Sequence, residues 1–397
     1  MIVPSAKLKL TPGCFSFSQR MEGLLAVLPR KWLDEVEIRG LPRLFSDEEF
    51  SRVLDFWRDR RVAFVRQSTC LNIYNSAPKP NWMEIAMTTQ RHPGPIALLA
   101  DLRADFLVVR QAPDQETFAW RGKHLGDPDP DATFRAMEKY RLEQERMPGV
   151  NSCEEINWGN YDLVVCLDVP LPARITCRSK RTFWVYLSLE AGGPLQDGSL
   201  RAPIPGYKLF LNHHFRRFRV RPTNRSHVLD FPFAFQSSQS WSLLLRHLGL
   251  EGIPRAGILA DRPSAPEIPK PYAADITVMG LDGKYLYLAD MARLYASHKY
   301  ALRLDPRRRW GNWLVEVIQA GCLFLGRPDT LDNISPLLPG LAVHDYPEAR
   351  KKIDELEGNP DLFAAYLALQ SAITEHVAFR RPLADLTARA RRFFDGR

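Results

Sequence analysis

No Cys-x-x-C pair occurs among the six cysteines, Cys14, Cys70, Cys153, Cys166, Cys177 and Cys322. That scatter excludes a dense disulfide framework and the common zinc sites, and it fits reduced thiols in a cytosolic protein. Gly-x-Gly-x-x-Gly, Walker A, Gly-x-Ser-x-Gly and His-Glu-x-x-His patterns are also missing. Dinucleotide dehydrogenases, P-loop ATPases, elbow-type hydrolases and zinc proteases therefore lack their signatures here. No apolar run stands out at membrane-spanning length, and MIVPSAKLKLTPG lacks the apolar core of a secretory signal. The expectation is a cytoplasmic protein, at most peripherally attached to the inner membrane face through basic surface.

At 397 residues the chain has room for two domains. Its net charge of +8 favours an anionic ligand or surface, without choosing among nucleotide, nucleic acid and membrane. Apolar runs of about five residues alternate with helical stretches, beginning with a capping box at Ser46 and Glu49. The runs lie at 61–67, 105–111, 161–168, 181–190, 206–214 and 227–233, and again at 276–280 in the second half. This is the pattern of two Rossmann-like, doubly wound α/β domains facing a cleft. The expected boundaries are 1–236, 237–382 and a terminal helix at 383–397 that crosses back to the first domain. Five prolines between Pro254 and Pro271 read as a stiff connection or a proline-studded strand edge.

The most informative stretch runs from Asp290 to Asp329. Met291, Leu294, Tyr295 and His298 mark one helical face, and Tyr300–Leu304 reads as a short strand. After Asp305-Pro306 come Arg307, Arg308 and Arg309, then Trp310, Gly311 and Asn312, a good N-cap. The helix that follows, Trp313–Ala320, is apolar nearly all round, and Glu316 is its only charged residue. A helix N-terminus offers unpaired N–H groups, and arginines beside it add donors suited to phosphate. A carboxylate one turn further in accepts from sugar hydroxyls, so the segment describes a nucleoside-diphosphate pocket with its ribose on Glu316. The alternative is a solvated basic loop and a core helix whose glutamate pairs with a neighbouring arginine.

This segment resembles the donor-site core of GT-B glycosyltransferases, in particular the C-terminal domain of the glycosyl transferases group 1 type. The resemblance rests on EVIQAGCLFLG, with Glu316, Val317, Gln319, Gly321 and Gly326 in the register of that family's motif. It covers about forty residues closely, and the rest of the chain only by architecture. It implies that Glu316 holds the nucleotide ribose. The residue chemistry adds Arg308, Arg309 and the helix N-terminus at Gly311 and Asn312 for the diphosphate, with Lys299 assisting. The related Glu-x7-Glu pattern would place a carboxylate at position 308, where this chain has Arg308. That departure leaves the stereochemical course open.

The expected activity is transfer of a sugar from a nucleotide diphosphate-sugar to an acceptor hydroxyl, with neither cofactor nor metal. The acceptor is a glycan, a lipid-linked molecule or a protein. For an inverting course the base candidates are Asp168, His213 and His214, at strand ends where such sheets gather ligands, and His92, at a proline break in a helical stretch. Asp127, Asp129 and Asp131 form overlapping Asp-x-Asp pairs, but in a proline-rich turn that suits a loop better than a metal. Two other functions stay open: a GT-like scaffold or sugar-binding subunit without transfer, and a basic nucleic-acid-binding protein. The basic cluster Arg216, Arg217, Arg219 and Arg221 has only Phe215 and Phe218 interleaved and no surrounding RNA-binding pattern, so nucleic acid is not the expected partner.

Overall fold

The computed structural model describes residues 45–67, 101–110, 151–167, 170–188, 205–212, 227–230, 237–280, 288–307, 312–331 and 336–396. Its contacts divide the chain into two compact units: Arg52–Phe235 with Pro382–Arg397, and Gln236–Arg381 with the described residues 45–51. Helix α1, Asp47–Asp55, opens on the capping box: Ser46 N donates to Glu49 Oε2 (2.9 Å) and Glu49 N to Ser46 Oγ (3.1 Å). Its first residues, grouped in sequence with the N-terminal half, pack instead with the second unit. There Phe45 meets the His376 ring at 5.1 Å, Phe50 meets Phe379 at 5.7 Å, and Arg380 donates to Asp47 at 2.7 Å.

The first unit is built on a parallel sheet of β1 (Val62–Gln67), β2 (Asp105–Arg110), β3 (Asn151–Ser152), β4 (Leu163–Leu167), β5 (Phe183–Ser188), β6 (Leu209–Asn212) and β7 (Val228–Asp230). Their order is β3-β2-β1-β4-β5-β6-β7, the doubly wound arrangement, with the winding direction reversing between β1 and β4. Every residue of β4 is buried, which explains why its run LVVCL shows no alternation. A short helix α2 (Ala173–Thr176) precedes β5, and Trp158, Trp184, Tyr186, Tyr207 and Phe210 form the aromatic centre of the core.

The second unit contains α3 (Ser238–His247), β8 (Ile258–Asp261), β9 (Ile276–Met279), α4 (Leu288–Ser297), β10 (Tyr300–Arg303), α5 (Asn312–Gln319), β11 (Leu323–Gly326), α6 (Tyr346–Glu357) and α7 (Pro360–Glu375). The four strands are parallel in the order β11-β10-β8-β9. The proline-rich stretch is not a connection between domains. It carries β8, a fully buried strand, and the crossover to β9, made of two 3-10 turns at Arg262–Glu267 and Lys270–Asp275. Proline suits such turns because it fixes φ and needs no donor. In this sheet the winding reverses between β8 and β10.

β11 lies at the sheet edge, where an unpaired strand is a liability. Helix α7 covers it: Gln370 accepts from Phe324 N (2.8 Å) and donates to Phe324 O (3.1 Å), as a neighbouring strand would. A single bridge between Gly326 and Ala342 adds to the same edge. Beyond α7 a π-turn, His376–Arg380, leads into α8 (Arg381–Asp395). Beyond Arg381 the chain packs with the first unit: Trp57 Nε1 donates to Thr387 Oγ1 (2.9 Å), and Phe393 lies 5.0 Å from Phe183. The run Pro360–Asp395 is long and apolar enough to span a bilayer, unlike the sequence expectation, but 56% of its most apolar window is buried in the fold.

Candidate functional site

Helix α5 follows the carboxyl end of β10 and carries Glu316 one turn from its start, about 6 Å along the axis. From Trp313 to Ala320 every residue is buried, as an all-round apolar helix requires. It ends in a Schellman motif: Cys322 N donates to Val317 O (2.8 Å) and Gly321 N to Ile318 O (2.9 Å), with Gly321 at φ +100°. Arg255 seals the same end, donating to Ala320 O and, at 2.7 Å, to Tyr295 O at the close of α4. These contacts set the axial position of α5, and so the depth of Glu316.

Glu316 is 3% exposed. Its Oε2 accepts from the Tyr295 hydroxyl at 3.1 Å, and the Tyr295 ring is itself wedged against Trp241 at 5.2 Å. Burial, then the Glu316 charge, holds the Tyr295 phenol well above its ordinary value of 10.0. Tyr295 therefore remains a donor throughout the physiological range. It fixes one carboxylate oxygen in a rotamer chosen by packing.

The second part of the site lies where the winding reverses, at the carboxyl ends of β8 and β10. Ligands in open α/β sheets gather at such switch points. Asp261 ends β8 and Arg303 ends β10; Arg303 Nε meets Asp261 Oδ2 at 3.2 Å, both side chains 6% exposed. Ser264, from the crossover, is fully buried: its hydroxyl donates to Asp261 and accepts from Leu304 N (2.8 Å) and Asp305 N (3.1 Å). Asp305, also buried, accepts from Arg307 N (3.1 Å) and Arg307 Nε (2.9 Å). The stretch opening the basic turn is therefore pinned to β8 through Ser264.

Sequence reasoning missed Asp261, Ser264 and Arg303. The apolar run ILA ending in Asp261 was the available signal, masked by the prolines beside it. Of the residues it singled out, Glu316 and the backbone of Asn312 stand on α5 as expected. Lys299 does not belong with them. It precedes β10 at the amino edge of the sheet, so the whole four-residue strand, about 13 Å long, lies between it and the chain leading to the arginines. There its ammonium grips both Glu357 oxygens at 2.9 Å and lies 4.5 Å from the Phe363 ring. His92, Asp168, His213, His214, Arg308, Arg309 and Gly311 lie outside the described residues, as do the Asp-x-Asp pairs and the 216–221 cluster. Among the described residues, no three His, Cys, Asp or Glu side chains converge as a metal site requires.

No family profile matches the sequence, and no curated protein does. Solved structures with partial backbone similarity exist. One is sucrose-phosphate synthase from Thermosynechococcus elongatus, 9% identical, with a TM-score of 0.41 over 85% of this chain and 100% of that one. Another is Anabaena HepE in complex with UDP and glucose, 12% identical, with a TM-score of 0.39 over 83% and 98%. A third is the catalytic domain of Arabidopsis thaliana starch synthase IV bound to ADP and acarbose, 9% identical, with a TM-score of 0.37 over 85% and 99%. Overlap at this level carries no functional argument, so the reading below rests on the chain's own residues.

Proposed function

We propose that the chain is a nucleotide-sugar-dependent glycosyltransferase whose donor sits at the carboxyl edge of the second sheet, against the start of α5. The observation that carries this reading is the carboxylate of Glu316, buried one turn into α5, the helix that follows the carboxyl end of β10, with Arg307, Arg308 and Arg309 preceding it in sequence. The diphosphate lies at the N-terminus of α5 with Arg308 and Arg309 around it, where dipole and guanidinium charge stabilise the leaving group without need of a metal. Glu316 accepts from the ribose hydroxyls. Tyr295 fixes its carboxylate beforehand, so little reorganisation accompanies binding. The acceptor is bound by the first unit, and His92, Asp168, His213 or His214 removes its proton in an inverting course. The resemblance to GT-B glycosyltransferases supports the same assignment, in a cytoplasmic setting.

A second reading has its own observation. Glu316 is nearly sealed and is held by Tyr295, as a purely structural acid would be. In that case the chain is a GT-like scaffold that binds no donor. A thermal-unfolding panel of UDP, GDP, ADP and their sugar conjugates separates the two. A ligand at 100 times its Kd adds about 2.7 kcal/mol to apparent stability. The enzyme reading predicts a concentration-dependent rise with at least one nucleoside diphosphate; flat curves with all of them favour the scaffold.

A further inference from the structure

The buried hydroxyl of Ser264 connects two segments that are far apart in sequence. It reaches from the proline-rich crossover after β8 to the backbone of Leu304 and Asp305, where the chain leaves β10 for the arginine-rich turn. Three hydrogen bonds converge on it, and the residue is completely enclosed. Neither N–H satisfied by Ser264 belongs to the sheet ladder. Leu304 and Asp305 lie one and two residues past the end of β10, where the direction of the exiting chain would otherwise be unset. The Asp261–Arg303 pair ties the two strand ends together just beneath. Asp305, fixed through its own N–H, turns its carboxylate back onto Arg307. The order of constraint is therefore β8, Ser264, Leu304 and Asp305, and then Arg307.

We propose that Ser264 is a positioning residue of the nucleoside-diphosphate site, fixing the direction in which the chain leaves β10 toward α5. The proposal rests on the donor reading of α5. Ser264 touches no ligand itself. It acts by holding Leu304 and Asp305, so the chain leaves β10 on one path and makes no search through alternatives when the ligand binds. Misplacement of a binding group by about 1 Å is enough to weaken what it holds. The assignment also explains why a serine sits in a stretch otherwise rich in proline: the crossover needs a hydroxyl at this one point, and its prolines hold the approach rigid.

The test is calorimetric titration of the full chain with UDP and with GDP, comparing wild type with Ser264→Ala, Ser264→Cys and Gln370→Leu. Gln370 pairs with the edge strand β11, so its loss lowers stability without touching the exit from β10. Ser264→Ala is expected to raise the Kd of the bound nucleotide by about tenfold or more. Ser264→Cys keeps the volume but replaces the oxygen with a poor acceptor, and gives the same direction of change if the alanine variant does not fold. Gln370→Leu is expected to lose thermal stability and keep its Kd. Wild-type binding with an unchanged Kd in either serine variant overturns the positioning role and leaves the donor reading intact. Equal weakening by Gln370→Leu assigns the effect to general destabilisation and also overturns it. If wild type binds neither nucleotide, the donor reading fails and this inference fails with it.

Discussion

Gln370 shows how one side chain can stand in for a missing strand. Its amide accepts from Phe324 N and donates to Phe324 O and to Pro336 O (3.1 Å each), all of them buried. Gln370→Leu preserves the volume but leaves one N–H and two carbonyls without these partners. Each lost partner of a buried group costs about 1–3 kcal/mol, and relaxation recovers part of the sum. A loss of about 2–4 kcal/mol is therefore expected by chemical denaturation; an unchanged midpoint would show that water replaces the amide. Single residues differed most in how legible they were in sequence. Glu316 was legible because one charge in an apolar helix is anomalous without any coordinates. The Asp261–Arg303 pair was not legible: it depends on β8 and β10 being neighbours, a fact of sheet order and not of local pattern. Lys299 was misassigned because nearness in sequence to the arginines hid a whole strand between them.

Among the elements, the π-turn at His376–Arg380 carries the clearest pH prediction. His376 is fully buried, and its Nδ1 accepts from Phe45 N at 3.3 Å, which requires the neutral ring. Burial, then the charges of Arg381 and Arg380, pushes its pKa from an ordinary 6.5 to about 4. Between those values the unfolded chain binds a proton that the folded chain does not. Stability from this group is thus complete above about 6.5 and is lost as pH falls toward about 4, by roughly 1–3 kcal/mol. Glu375 beside it, raised by burial, acts with the opposite sign: its contribution is present at low pH and lost as pH rises through its folded value. The comparison that isolates the histidine is wild type against His376→Gln. The gap in unfolding free energy is expected to widen from pH 4 to pH 6.5 and then level off; a gap constant with pH would show that the ring titrates normally. Most helices and strands were well marked in sequence, because a capping box, glycine stops and periodicity are local; β8 was not, because the prolines beside it masked its short apolar run. The π-turn was not, since a helix of unbroken pattern runs through it.

At the scale of the whole molecule, both sheets are parallel and both reverse their winding, between β1 and β4 in one and between β8 and β10 in the other. The alternation of apolar runs with helical stretches predicted this much. It did not predict that residues 45–51 pack with the second unit, because nothing local in α1 says which core its first turn joins. The central claim concerns one point in this architecture, the start of α5, and its most direct measurement is a calorimetric titration of UDP and GDP into wild type and Glu316→Gln. The account predicts saturable binding of one nucleotide by wild type, weakened about tenfold or more in the variant, which keeps the Tyr295 contact and a similar melting temperature. Equal binding by both proteins, or an unfolded variant beside a wild type that binds neither nucleotide, would contradict it and leave Glu316 a structural acid.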